Sequence, residues 1–242
     1  MKKFVKILLV ALAVVTLAVS ITACDFDEKI PAPTGKAAYD TTATGEGQSV
    51  KMSVVKKEID SMKASDFEAS EQKSDFVLIK VKDYGEIVIV LRSDIAPKTV
   101  NNFKKLVSDK FYNGTVFHRV IENFMIQGGG YVPFDGKLTE KNADTIKGEF
   151  NHNGFTNKLG HVRGVISMAR RPSSMDSASS EFFIMHAEHD SLNSEYAAFG
   201  YVLAGMDVVD AIAGCDVDDP SATAPRPVKD VIIESMTFVQ PK

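Results

Sequence analysis

The chain has 242 residues, 44% of them hydrophobic and 25% charged, the balance of an ordinary globular protein with one large or two small domains. Its formal charge of -4 falls to -7 once the three lysines of the first 23 residues are set aside. An acidic remainder weighs against a nucleic-acid partner, which would need a basic face.

Residues 1–23 read as an export signal. Lys2, Lys3 and Lys6 make a basic start, and nearly every residue from Ile7 to Val19 is apolar. The run from Ile7 to Ala23, 17 residues, lies at the lower edge of what spans a bilayer, so an uncleaved anchor is the alternative. Ile21-Thr22-Ala23-Cys24 resembles the lipobox of bacterial lipoproteins, whose cysteine becomes the lipid-modified first residue. The resemblance implies lipidation at Cys24, with palmitate among the acyl chains, and an extracytoplasmic protein anchored to the bacterial cell membrane. Two chains suffice for stable attachment. Cys215 then has no partner, which excludes a disulfide framework and leaves the fold to stand on its core.

Residues 24–73 read as a tether. Asp25 to Gln48 carries Pro31, Pro33, Gly35, Gly45 and Gly47 and has no sustained apolar period. Within Val50 to Gln72, Val54, Val55, Ile59 and Met62 are loosely helical in spacing, so this stretch is either a short helix packing on the domain or further tether.

A domain spans 74–242. Asp75–Lys82 and Gly85–Arg92 are β-rich runs around a hairpin turn at Asp83-Tyr84-Gly85. Pro97 to Lys110 is a helix, with Pro97 in its first turn and Val100, Phe103, Leu106 and Val107 at three- and four-residue steps. Short strands follow at Thr115–Val120, Phe124–Gln127, Gly164–Met168, Glu181–His186, Ala198–Leu203 and Asp230–Phe238. A second helix, Met206–Ala213, closes at Gly214. Eight strands and two widely separated helices suit an antiparallel barrel better than alternating βαβ units. If Phe117–Val120 is a regular strand, Phe117 and Arg119 share one face and His118 and Val120 the other; Met125 and Gln127 likewise share a face.

Three blocks carry a resemblance. They are Phe117–Gly130 (FHRVIENFMIQGGG), Gly164–Ala169 (GVISMA) with Ser179–Ile184 (SSEFFI), and Phe199–Met206 (FGYVLAGM). Their order and spacing resemble the cyclophilin family of peptidyl-prolyl cis-trans isomerases over about Asp75 to Val239. The resemblance implies a closed, eight-stranded antiparallel β-barrel capped by two α-helices. It implies Arg119 as the catalytic arginine, with Phe124, Met125, Phe183 and Leu192 around the substrate proline ring. Gln127 would bond the substrate backbone, Ala169 and Arg170 would lie along the edge followed by the preceding residues, and Tyr196 falls where many members have His. No metal or organic cofactor is expected. The partners implied are proline-containing unfolded or partly folded exported chains, met by a monomer.

Isomerisation of an Xaa-Pro bond breaks no covalent bond, so donors suited to a twisted amide are needed and a nucleophile is not. Arg119 offers a permanently charged, rigid fork of N–H groups. Gly128-Gly129-Gly130 lacks the Gly-Lys-Ser/Thr of a phosphate loop and reads as a turn. His186 and His189 have no evident third metal ligand, and His118, His152 and His161 are scattered. No Gly-x-Ser-x-Gly elbow occurs among the serines of 173–180. The chain has no Trp, and Ser191 stands where some cyclophilins carry one, which weighs against tight cyclosporin binding. Glu181 stands where Gln is common and Arg170 where Asn is common, changes expected to alter the substrate groove more than the catalytic centre. The rival readings are a non-catalytic cyclophilin-fold chaperone for unfolded exported chains, and a structural envelope lipoprotein without a client. The second leaves the intact pocket set unexplained.

Overall fold

The computed structural model describes residues 51–242. The export signal, Cys24 and the tether up to residue 50 lie outside the described residues.

Eight antiparallel strands close into a barrel. In chain order they are β2 (Phe76–Val81), β3 (Gly85–Leu91), β4 (Val116–Ile121), β5 (Met125–Gly128), β8 (Val165–Met168), β9 (Phe182–Met185), β10 (Ala198–Ala204) and β11 (Val231–Pro241). Around the barrel the order is β11-β2-β3-β10-β8-β9-β5-β4, and β4 returns to β11 through Val231 opposite Phe117. Closure leaves none of these eight with an open edge. Alternation fills the interior, as Ile87, Ile89 and Leu91 of β3 face the same core as Phe199 and Val202 of β10.

Helices α2 (Pro97–Ser108) and α3 (Met206–Ala213) pack on this core, as the expected fold requires. In α2 the stripe Val100, Phe103, Leu106 and Val107 is buried, and Phe103 sits 5.1 Å from Phe199 and 5.8 Å from Phe182, ring to ring. Its N-cap, Ala96, offers no side chain. Instead the buried Glu149 carboxylate accepts from the Lys98 and Thr99 N–H groups at 3.0 and 2.8 Å. A carboxylate at that end satisfies orphan donors and meets the positive helix terminus. Helix α3 starts at Gly205, whose φ of 94° and approach to the Glu86 carbonyl leave no room for a Cβ.

A third helix, α1 (Met52–Glu58), takes the packed alternative for the stretch before the barrel. Val55 joins Val88, Val90, Val165 and Leu203, which cover the outside of the barrel wall. Asp60 accepts from the Gly205 and Met206 N–H groups at 3.0 and 3.1 Å, capping α3 from this arm. The arm ends in β1 (Phe67–Ala69), which pairs with the end of β11. One hairpin escaped the sequence reading: β6 (Tyr131–Phe134) and β7 (Lys137–Glu140), joined by Asp135 and Gly136 with φ of 48° and 71°. Two central residues at positive φ make the primed turn that fits strand twist.

Among the described residues no helix is long and apolar enough to cross a membrane, and no group of three or more His, Cys, Asp or Glu is placed to hold a metal ion.

Candidate active site

The site begins with a departure from the expected alternation. Phe117 pairs with Gly128 and Arg119 with Gln127, so two steps along β4 match one along β5. A bulge at His118 absorbs the extra residue. Phe117 and Val120 therefore both face the barrel interior, while His118 and Arg119 both point outward. The expectation that Phe117 shares a face with Arg119 is thus corrected. Met125 and Gln127, on a regular strand, do share the outer face beside Arg119.

Arg119, Phe124, Met125, Gln127, Ala169, Arg170, Phe183, Leu192 and Tyr196 line a single cavity of about 150 Å³. Its floor is apolar. Met125 and Phe183 are buried, and the Phe183 ring meets Tyr196 edge-on at 5.6 Å. Beneath Phe183 lies His161, stacked on it at 5.9 Å. The Asn193 side-chain oxygen only accepts, so His161 Nδ1 donates to it at 3.1 Å, and Nε2 accepts from the Ser167 hydroxyl at 3.0 Å. Burial pushes the His161 pKa down to about 4, against the Asn193 hydrogen bond that raises it. Ser167, His161 and Asn193 resemble a hydrolytic triad in composition, but Ser167 and His161 are 0% and 1% exposed, out of reach of a substrate. They form the pocket's foundation.

Arg119 stands at the rim. Its Nε donates to the Thr223 carbonyl at 2.9 Å and one terminal nitrogen donates to Gln127 Oε1 at 3.3 Å. The guanidinium carbon lies 5.8 Å from the Phe124 ring centre. Arg92, Arg163, Arg170 and Arg226 each pair with a carboxylate within 4 Å; among the described residues Arg119 and the exposed Arg171 have no such partner. Burial lowers its pKa without threatening its charge. A half-buried cation with unspent donor capacity beside an apolar cup can bind a small ring and donate to an acceptor at its edge.

The remaining walls are held from behind. Arg170 donates to the Glu195 carbonyl at 2.9 Å and its carboxylate at 3.0 Å, and lies over the rings of Phe150 and Tyr196. His186 and His189 grip one residue. His186 Nδ1 accepts from the Asn123 N–H at 2.8 Å, and His189 Nε2 donates to the Asn123 carbonyl at 3.0 Å. Asn123 has φ of 59°, and this turn delivers Phe124 to the pocket. Sequence reading missed these supports, as well as Thr223 and His161, because most act through backbone atoms. Glu181 reaches this wall as well: its carboxylate accepts from Gln127 Nε2 at 2.7 Å.

Comparison with known proteins gives the family. The model of the family described as cyclophilin type peptidyl-prolyl cis-trans isomerase matches residues 76–238. Peptidyl-prolyl cis-trans isomerase B of Escherichia coli is 41% identical over 163 residues, covering 64% of this chain and 94% of that protein. A peptidyl-prolyl cis-trans isomerase of Acinetobacter baylyi is 48% identical over 135 residues, covering 53% of this chain and 67% of that one. Among solved structures, a cyclophilin type isomerase of Cryptosporidium parvum, crystallised in the presence of the dipeptide Ala-Pro, superimposes with a TM-score of 0.57 at 27% identity. It covers 67% of this chain and 98% of its own. By the matched span, the closed barrel and these relatives, the chain belongs to the cyclophilin-type peptidyl-prolyl cis-trans isomerases.

Proposed function

We propose that the cavity beside Arg119 is where this isomerase works, and that its clients are exported chains folding just outside the cytoplasmic membrane. The observation that carries the site is the convergence of nine side chains on one small cup with an apolar floor and, at its rim, a guanidinium without a carboxylate partner among the described residues. In the reaction, Phe124, Met125, Phe183 and Leu192 take the proline ring and Gln127 bonds the substrate backbone. Ala169 and Arg170 border the preceding residues, and Tyr196 closes the wall. Rotation about the Xaa-Pro bond removes amide resonance and returns a lone pair to the prolyl nitrogen. Arg119 donates to the twisted amide, an interaction stronger in the transition state than in either planar ground state. A preorganised donor in a dry site contributes roughly 3–4 kcal/mol. Desolvation of the amide over the apolar floor supplies more, so a barrier of about 20 kcal/mol approaches about 15.

The test is exchange NMR of a short Xaa-Pro peptide with the full-length chain and with Arg119→Ala, checked to be folded. Strong acceleration that collapses in the variant supports the site. Well-folded wild type that is inert across several Xaa residues supports the chaperone reading.

The extracytoplasmic setting rests on the sequence of residues 1–24, where lysines and an apolar run precede Ile21-Thr22-Ala23-Cys24. Cys24 is the proposed lipid site. Cys24→Ala should abolish lipid labelling and membrane retention in cells; unchanged labelling excludes Cys24.

A further inference from the structure

We propose that Glu181 is a positioning residue of this isomerase, its carboxylate locking the Gln127 amide in one orientation against Arg119. The inference rests on the reading above, in which Arg119 and Gln127 meet the substrate. Gln127 lies between two groups that cannot exchange roles. Its Nε2 donates to Glu181 at 2.7 Å and its Oε1 accepts from Arg119 at 3.3 Å. An ionised carboxylate only accepts, and a guanidinium only donates. Turning the amide over would set oxygen against carboxylate and N–H against guanidinium, losing both bonds at once. A neutral amide at position 181 could donate or accept and would not impose the choice.

Glu181 is itself held. His118 Nε2 lies 3.2 Å from its carboxylate, reaching it because the β4 bulge turns His118 outward. The Tyr131 ring packs on His118 at 4.6 Å. A Cβ added at Gly130 would lie 2.4 Å from Glu181 Cγ, so the glycine backbone keeps the carboxylate arm close. The Glu181 carbonyl accepts from the Ala169 N–H at 2.9 Å, tying it to the pocket wall. Burial pushes the carboxyl pKa up, but His118, Gln127 and the nearby charge of Arg171 outweigh it and hold it below the usual range. His118, Glu181, Gln127 and Arg119 thus form one row of polar contacts ending at the rim.

The test is a double-mutant cycle on kcat/KM for an Xaa-Pro peptide, using the full-length chain and thermal unfolding as a folding control. Glu181→Ala should lower kcat/KM roughly tenfold, about the effect of one charge-assisted hydrogen bond. Glu181→Gln, which keeps an acceptor, should stay within about threefold of wild type. In a Gln127→Ala background either change should cost less than about twofold, because the group being positioned is gone. A merely structural Glu181 would cost the same in both backgrounds, and that result overturns the proposal. So does a Glu181→Ala rate equal to wild type, or Glu181→Gln no better than Glu181→Ala. Should Glu181→Ala fail to fold, the Glu181→Gln loss and its disappearance in Gln127→Ala decide the matter. If Arg119→Ala and Gln127→Ala both leave the rate untouched, the site reading itself fails, and the proposal with it.

Discussion

Two concavities on this barrel invite comparison. The larger, about 900 Å³, is lined by Asp60, Lys80, Tyr84, Glu86, Asp207 and Glu234 among others; the smaller, about 150 Å³, is the cup beside Arg119. The larger is lined by charged groups of both signs. Lys80 pairs with Glu234 at 3.1 Å, and Asp60 caps α3. In the smaller, Arg119 is held, among the described residues, by a carbonyl, an amide oxygen and a thioether, and keeps donors in reserve. A half-buried cation beside an apolar floor, rather than volume, sets the smaller apart.

Arg119→Ala should lower kcat/KM about 10²–10³-fold, as expected for losing one preorganised donor. A drop below tenfold in a folded variant would put the two concavities on the same footing.

The foundation of the small cup should show itself in stability. His161 stays neutral in the fold down to about pH 4, whereas in the unfolded chain it takes a proton near 6.5. Stability from this group is complete above pH 6.5 and is lost as pH falls toward 4, by about 3 kcal/mol. Denaturant unfolding across that window should find a shallower pH dependence in His161→Gln; parallel curves would remove His161 from the foundation.

Val55→Ala tests the arm over the outer wall, and should cost about 2 kcal/mol of unfolding free energy by lost burial. No change in midpoint would mean the arm adds nothing to the barrel. The smallest effect belongs to the larger concavity. Lys80→Ala and Glu86→Ala should move stability by less than about 0.5 kcal/mol and leave isomerisation unaffected. If either impairs the rate as Arg119→Ala does, the contrast is wrong.

Much of this was legible in the sequence, for identifiable reasons. Strand β3 is buried on both faces from Ile87 to Leu91, so it announces itself as a β-branched run rather than by alternation, and the α2 stripe is visible at helical spacing. The nine residues of the small cup were named from the family resemblance, six of them inside its three blocks and Arg170, Leu192 and Tyr196 between them, and the structure brings all nine together. The bulge at His118 was not foreseen, because regular alternation was assumed where two outward residues stand between inward Phe117 and Val120. Asp135-Gly136 is a strong turn signal, but its flanks, an apolar Tyr131–Phe134 and a polar Lys137–Glu140, lack alternation to accompany it. Thr223, which steadies Arg119 from 104 residues away through its carbonyl, leaves no side-chain trace to read. The same is true of Asn123, gripped at both backbone atoms.

Strand β11 has a consequence for synthesis. It pairs with β2, with β4 and with β1, all of which leave the ribosome before it does. Until residue 231 and its successors emerge, the nascent chain is at best an open sheet with β2 and β4 as raw edges. The cup on β4 and β5 therefore rests on a strand with a raw edge until β11 is made, and a ribosome stalled before β11 would hold an open sheet prone to pair with its neighbours.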